Sequence, residues 1–138
     1  MIALNEDVIA AVRAAGETAY PEECCGFLLG RLDARGRTAE TALPAENAWD
    51  EGDMRRRFKI DPDDYLRAER AAAAQGLDVT GFYHSHPDHP ARPSDFDLAQ
   101  ALPCYSYVIV AVEDGRATDL TSWELAADRS DFIPESIL

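Results

Sequence analysis

A chain of 138 residues is long enough to bury one real core and too short for two full domains, so a single domain spanning 1–138 is expected. Asp and Glu number 26 against 13 Lys and Arg, a formal charge of -13, which argues against nucleic acid as a partner. No apolar run approaches the roughly eighteen residues a membrane span needs, and MIALNEDVIAAV lacks the basic start of a signal peptide, so neither a membrane nor export is expected. Three cysteines, two of them adjacent, do not make a disulfide scaffold; a reducing, cytoplasmic setting fits them. The acidity would steer in a partner with a basic face, and it serves equally as a solubility device or as an adaptation to a salty cytoplasm.

Taken in order, Asn5 caps a first helix, with Glu6 and Asp7 in its first turn and Val8, Ile9, Val12 and Ala15 on its apolar face; Gly16 is expected to end or fray it. YPEECCGFLLGRL enters a short buried strand bracketed by Gly26 and Gly30, and DARGR turns the chain. TAETALPAEN gives a weak strand and a loop. An exposed loop is expected over 48–57, then a short edge strand at Phe58–Ile60. Asp61-Pro62-Asp63-Asp64 starts a second helix, with Asp61 as cap and Pro62 in the first turn, and Gly76 closes it. LDVTGFYHSH is a strand, Ser94 opens a short helix that Pro103 stops, and CYSYVIVAV is a strongly strand-forming run. EDGR turns the chain into a last strand, ATDLTSWELA; the tail DFIPESIL is too short to assign. Helices alternating with strands and a closing hairpin predict an α/β fold, a mixed curved sheet flanked by helices, without a nucleotide-binding glycine motif.

The chemistry is concentrated in FYHSHPDHPARPSDFD. All three histidines fall within His84–His89. On a strand, residues two apart share a face, so His84 and His86 can meet one ion. Asp97, eleven residues beyond His86, can fold back to the same point. Two imidazoles and one carboxylate are a usual protein share of a catalytic zinc site, with a fourth position left open. Ser94 and Asp97 also read as a capping box, which by itself explains Ser-x-x-Asp. His89 reads as a loop histidine. A proton carrier is needed beside the ion, and Glu22 and Glu23 both qualify.

These residues resemble the motif of the JAMM (MPN-plus, Mov34/Pad1-like) zinc metallopeptidases, small prokaryotic type. The likeness rests on His84-Ser-His86-Pro87, the spacing to Ser94, Ser-x-x-Asp ending at Asp97, and the upstream PEECCG, which selects Glu23 over Glu22. The resemblance implies a JAMM/cytidine-deaminase-like fold and one Zn2+ held by His84, His86 and Asp97. It also implies Glu23 as proton carrier and Ser94 as hydrogen-bond donor to the oxyanion. Asn47 falls where small members carry an Asn near the substrate groove, although a turn-forming role is equally open. The implied activity is hydrolysis of peptide or isopeptide bonds after the Gly-Gly tail of a ubiquitin-like or sulfur-carrier protein; the sequence itself does not distinguish a monomer from a homodimer. The alternatives are a non-catalytic MPN-like scaffold and a zinc hydrolase of small amides. A deaminase would need a His-x-Glu start and a Pro-Cys-x-x-Cys arm, which this chain lacks.

Overall fold

The computed structural model describes residues 1–138. Its elements in order are β1 (Ile2–Leu4), α1 (Glu6–Ala19), β2 (Cys25–Gly30), β3 (Leu32–Asp33), β4 (Gly36–Ala39) and β5 (Thr41–Ala45). There follow α2 (Pro62–Ala74), β6 (Asp78–Pro87), α3 (Asp95–Gln100), β7 (Ser106–Glu113), β8 (Arg116–Leu125) and β9 (Phe132–Glu135). Six strands form the main sheet in the order β5-β2-β6-β7-β8-β9, and β1, β4 and β3 form a small second sheet. In the main sheet β6 and β7 run parallel and every other pair is antiparallel, so the sheet is mixed. Register shifts at Leu28/Leu29 and at Ala111/Val112 bend it, as bulges do.

Side-chain alternation divides the core into two layers. Leu28, Tyr83, Val108, Val110 and Val112 meet Val8 and Val12 of α1. Phe27, Leu29 and Phe82 point to the opposite face and meet Ala68 and Ala72 of α2. Strand β6 is therefore covered on both sides, and every residue from Thr80 to Pro87 is buried.

The helix caps follow the sequence. Asn5 accepts from the Val8 amide, Asp61 accepts from the Asp63 amide, and Pro62 sits in the first turn of α2. Gly76 follows α2 with φ +68, a left-handed conformation that ends a helix at little cost only for glycine. Asp114 and Gly115 both have positive φ, as a tight hairpin turn matched to strand twist demands.

Three expectations are corrected, and the unassigned tail acquires a strand. Gly16 lies inside α1 and does not end it; a Cβ there would stand 2.9 Å from Val112 Cγ2, so glycine lets the helix approach the sheet. The stretch 36–45 is two strands, not one. Phe58–Ile60 joins no sheet: Lys59 trades hydrogen bonds with Asn47 and Ala48, and Ile60 is buried against the α2 layer. The tail contains β9, and Ile137 bridges to Ile2, pairings between distant segments that local pattern does not reveal. No helix is long and apolar enough to cross a membrane.

Leu28 has no exposed surface, whereas Leu32 is 71% exposed. Leu28→Ala is expected to cost about 2–5 kcal/mol in denaturant unfolding, and Leu32→Ala no more than about 0.5 kcal/mol. Equal losses would contradict the layer assignment.

Candidate active site

The end of β6 places His84 and His86 on the α2 face, because Tyr83 and Ser85 use the α1 face. Ser85 confirms the alternation: its hydroxyl accepts from the Cys24 amide, and its Cβ lies close to Gly16 of α1. Pro87 ends the strand. The chain returns at Ser94, whose hydroxyl accepts from the Asp97 amide at 3.1 Å while the Asp97 carboxylate accepts from the Ser94 amide at 2.8 Å. That reciprocal cap fixes Asp97 at the start of α3 and turns its side chain toward β6.

Three atoms converge. His84 Nε2 and His86 Nε2 are 3.1 Å apart, and Asp97 Oδ2 lies 3.2 and 3.1 Å from them. All three residues are buried. Two ring nitrogens at that separation cannot both carry protons without repulsion, yet both face one oxygen. The set presents lone pairs to a common point, which suits a cation better than a proton network. Ligand atoms about 2.0–2.2 Å from a tetrahedral zinc stand roughly 3.3–3.6 Å apart, slightly wider than this triangle, so the donor set fits that ion with little movement.

The shell around the triangle sets its charge. His86 Nδ1 lies 2.9 Å from the Pro90 carbonyl, so that nitrogen donates and Nε2 keeps its lone pair. Burial alone would lower the His86 pKa, but the Asp97 hydrogen bond and the Pro90 carbonyl outweigh it and raise it. Burial works to raise Asp97 too, and the two imidazoles with the Ser94 amide overcome it, holding the carboxyl well below the usual range. The His84 ring stacks on Phe58 with centroids 4.7 Å apart, and its Nδ1 has no protein partner.

Glu23 is the second carboxylate, 5% exposed, and its Oε1 has no hydrogen-bond partner. One of its oxygens lies within 4.8 Å of ring nitrogens of both histidines. Distance separates the two acids: Asp97 closes the triangle at hydrogen-bond range, whereas Glu23 bonds to neither ring. Desolvation pushes the Glu23 pKa up to about 8; His86 and Arg57 oppose the rise, and Asp97 adds to it. A carboxyl in that range can exchange protons near neutrality.

Glu23, His86 and Ser94 line a cleft of about 420 Å³ together with Arg56, Arg57 and Arg92. A separate hollow of about 520 Å³, lined by Glu113, Asp119 and Trp123 among others, includes none of the triangle residues. Asn47 does not face the cleft chemistry as a free side chain. Its Nδ2 donates to the Glu23 and Arg57 carbonyls, and its Oδ1 accepts from the Trp49 and Lys59 amides. Every hydrogen-bonding position of the amide is used, so Asn47 ties the 48–59 loop to the peptide unit of Glu23.

His89 is exposed at the cleft edge and outside the triangle, as the sequence indicated. Asp88 accepts from Tyr20 Oη and the Asp114 amide. Cys24 and Cys25 are free thiols, and burial raises both. Sequence reasoning missed Phe58, the Pro90 carbonyl and the arginines of the cleft. Of these, the Arg55–Arg57 run was the visible signal, a basic triplet in a strongly acidic chain.

A cluster of two imidazoles and buried carboxylates at the end of a central strand defines a metal-dependent hydrolase site. The model of the prokaryotic homologs of the JAB domain matches residues 5–126, and the chain belongs to that family. A desampylase of Haloferax volcanii is 40% identical over 106 residues, 76% of this chain and 71% of the relative. A probable TtuB-protein conjugate cleaving protease of Thermus thermophilus is 33% identical over 97 residues, 70% of this chain and 61% of its own length. A solved Salinibacter ruber protein is 48% identical with TM-score 0.78, covering 98% of this chain and 89% of that one. The mixed α/β fold is that of solved JAB1/MPN domains. With its metal-ligating cluster, the protein is a JAMM-type metallopeptidase.

Capping and chemistry at Ser94 are separable. Ser94→Ala should lower stability by about 0.5–2 kcal/mol through loss of the cap, whereas Ser94→Gly should cost only a few tenths of a kcal/mol. Chelator-treated protein in thermal melts checks this; equal losses would show that the cap does not hold the helix.

Proposed function

We propose that residues 1–138 act as one JAMM/MPN-plus domain that hydrolyses the peptide or isopeptide bond after the Gly-Gly tail of a ubiquitin-like or sulfur-carrier protein. The observation that carries the reading is a closed Asp97–His84–His86 triangle with an unpaired, buried Glu23 beside it, both opening on one cleft. His84, His86 and Asp97 would hold zinc, which supplies Lewis acidity toward water and a carbonyl oxygen. Glu23 takes a proton from the attacking water at its unpaired Oε1 and delivers it to the nitrogen of the breaking C–N bond, which leaves as an amine. Water therefore contributes hydroxide to the carbonyl carbon and a proton to the leaving group. The Ser94 hydroxyl accepts from the Asp97 amide, and its own hydrogen is free to donate to the oxyanion.

The substrate class follows from relatives whose names describe desampylation and TtuB-conjugate cleavage. A diglycine tail is narrow enough to reach a metal set in a cleft of this size, and the partner's folded body must supply most of the affinity, since two glycines bury little apolar area. The surrounding acidic surface favours a body with basic residues.

Native protein is expected to bind about one zinc per chain. His84→Ala and Asp97→Ala should lose it, and Glu23→Gln should keep it while turnover falls about a hundredfold or more. Metal analysis beside intact-mass detection of product checks both. Retained zinc in both ligand variants would sink the ligand set, and full activity of Glu23→Gln would sink the proton carrier.

The substrate assay uses a Gly-Gly carrier extended by one residue or joined to a lysine side chain. Loss of the extension alone, blocked by a strong chelator and by replacing the last Gly with Phe, is the expected result. Cleavage of unstructured peptides or small amides with the fusions intact would leave a hydrolase of a different substrate class.

A further inference from the structure

The cleft carries a charge opposite to that of the protein. Arg56, Arg57 and Arg92 line it, and the one acid among the lining residues is Glu23. The side-chain ion pairs of the chain's arginines use Arg31, Arg37 and Arg67, so none of these three guanidinium groups has a carboxylate partner. In a chain with 26 acidic and 13 basic residues, a cleft lined by three arginines and one acid reverses the balance of the sequence as a whole.

The Arg57 side chain is held in place. Arg57 lies over the Phe96 ring with its guanidinium carbon 4.5 Å from the centroid, and Phe96 in turn packs edge-on against Trp49 at 5.3 Å. A guanidinium stacked on a ring keeps its edge N–H groups free for an anion. The backbone under Arg56 and Arg57 is tied to Glu23 twice: the Glu23 amide donates to the Met54 carbonyl at 2.8 Å, and Asn47 bridges the Glu23 and Arg57 carbonyls.

We propose that Arg56 and Arg57, with Arg92 of the same cleft, form an anion subsite that recognises a carboxylate on the leaving-group side of the scissile bond. This rests on the peptidase reading above. Glu23 hands its proton to the leaving amine, and the arginines line the same cleft as Glu23, so a charge carried by the departing residue comes within their reach. In a protein or peptide substrate the anion available there is a carboxylate, and guanidinium groups bind it in paired, charge-assisted hydrogen bonds. Two sources share this chemistry: the free α-carboxylate of a single released residue, and an acidic side chain flanking a modified lysine.

The test compares matched substrates with wild type and an Arg56→Gln/Arg57→Gln double variant. One pair ends in Gly-Gly-Ala with a free carboxylate or as the carboxamide. The other joins Gly-Gly to a lysine in a pentapeptide with flanking Glu or flanking Gln. Wild type is expected to cut the charged member of at least one pair with about tenfold higher kcat/KM, chiefly through KM, and the gap should shrink as salt rises. The double variant should lose that gap, cutting the charged and neutral members at similar rates, while its zinc content stays unchanged. The pair that shows the gap identifies the source. Arg57→Glu should reverse the preference toward a lysine-flanked peptide, which a merely structural role for Arg57 would not do. Equal rates on charged and neutral members of both pairs, or equal slowing of both in the double variant, overturn the subsite. If no Gly-Gly fusion is cut, the substrate reading fails by itself, and binding decides the subsite. A fluorescent Glu-containing hexapeptide should bind zinc-loaded wild type at least about fivefold tighter than its Gln counterpart, and equally weakly in the double variant; equal binding in wild type overturns it.

Discussion

The structure depends on strand β6 being buried on both faces. Alternation there is not a matter of local preference: a slip of one residue would put Tyr83 and Ser85 where the imidazoles belong and drive His84 and His86 into the valine layer under α1. The apolar residues on both sides of the sheet hold the register, and the register holds the two ring nitrogens 3.1 Å apart. Site geometry is thus a by-product of core packing, and the stability of the core protects the chemistry.

Burying Asp97 and Glu23 is costly, and the protein meets the cost in different ways. Asp97 receives two imidazoles and a backbone amide and stays ionised. Glu23 receives no hydrogen bond at Oε1, and desolvation raises it toward neutrality. Two carboxyl groups near the same histidines are thereby driven apart in acidity, one suited to hold a cation and the other to move a proton. The contrast comes from where their hydrogen bonds go and not from residue type.

Much of this was legible in the sequence because the signals are local. The i, i+2 histidines, Ser94 with Asp97, and the caps Asn5 and Asp61 each act within a few residues, and each stands where the pattern put it. What was not legible needs tertiary contact. Gly16 reads as a helix end because glycine disfavours helices, yet the valines of β7 need the space a side chain would take. Phe58 reads as strand, yet it packs on a histidine ring twenty-six positions away in the chain. β9 pairs with β8 across a turn whose sequence carries no strong signal. Bottom-up, Glu22 and Glu23 were equivalent; the direction of one side chain distinguishes them, and direction is set by the start of β2.

The Asn47 side chain has a consequence for how such a protein can diversify. It grips both the peptide unit of Glu23 and the far end of the loop, leaving Asp50–Asp53 bulging outward from two fixed posts. Length and composition can change within Asp50–Asp53 while Asn47, Met54 and Arg57 keep their bonds to the peptide unit of Glu23 and to one another. The loop is in effect an exchangeable reading head on a constant engine, and new specificities can be acquired there one insertion at a time while the sheet, the histidines and the cap of α3 remain as they are.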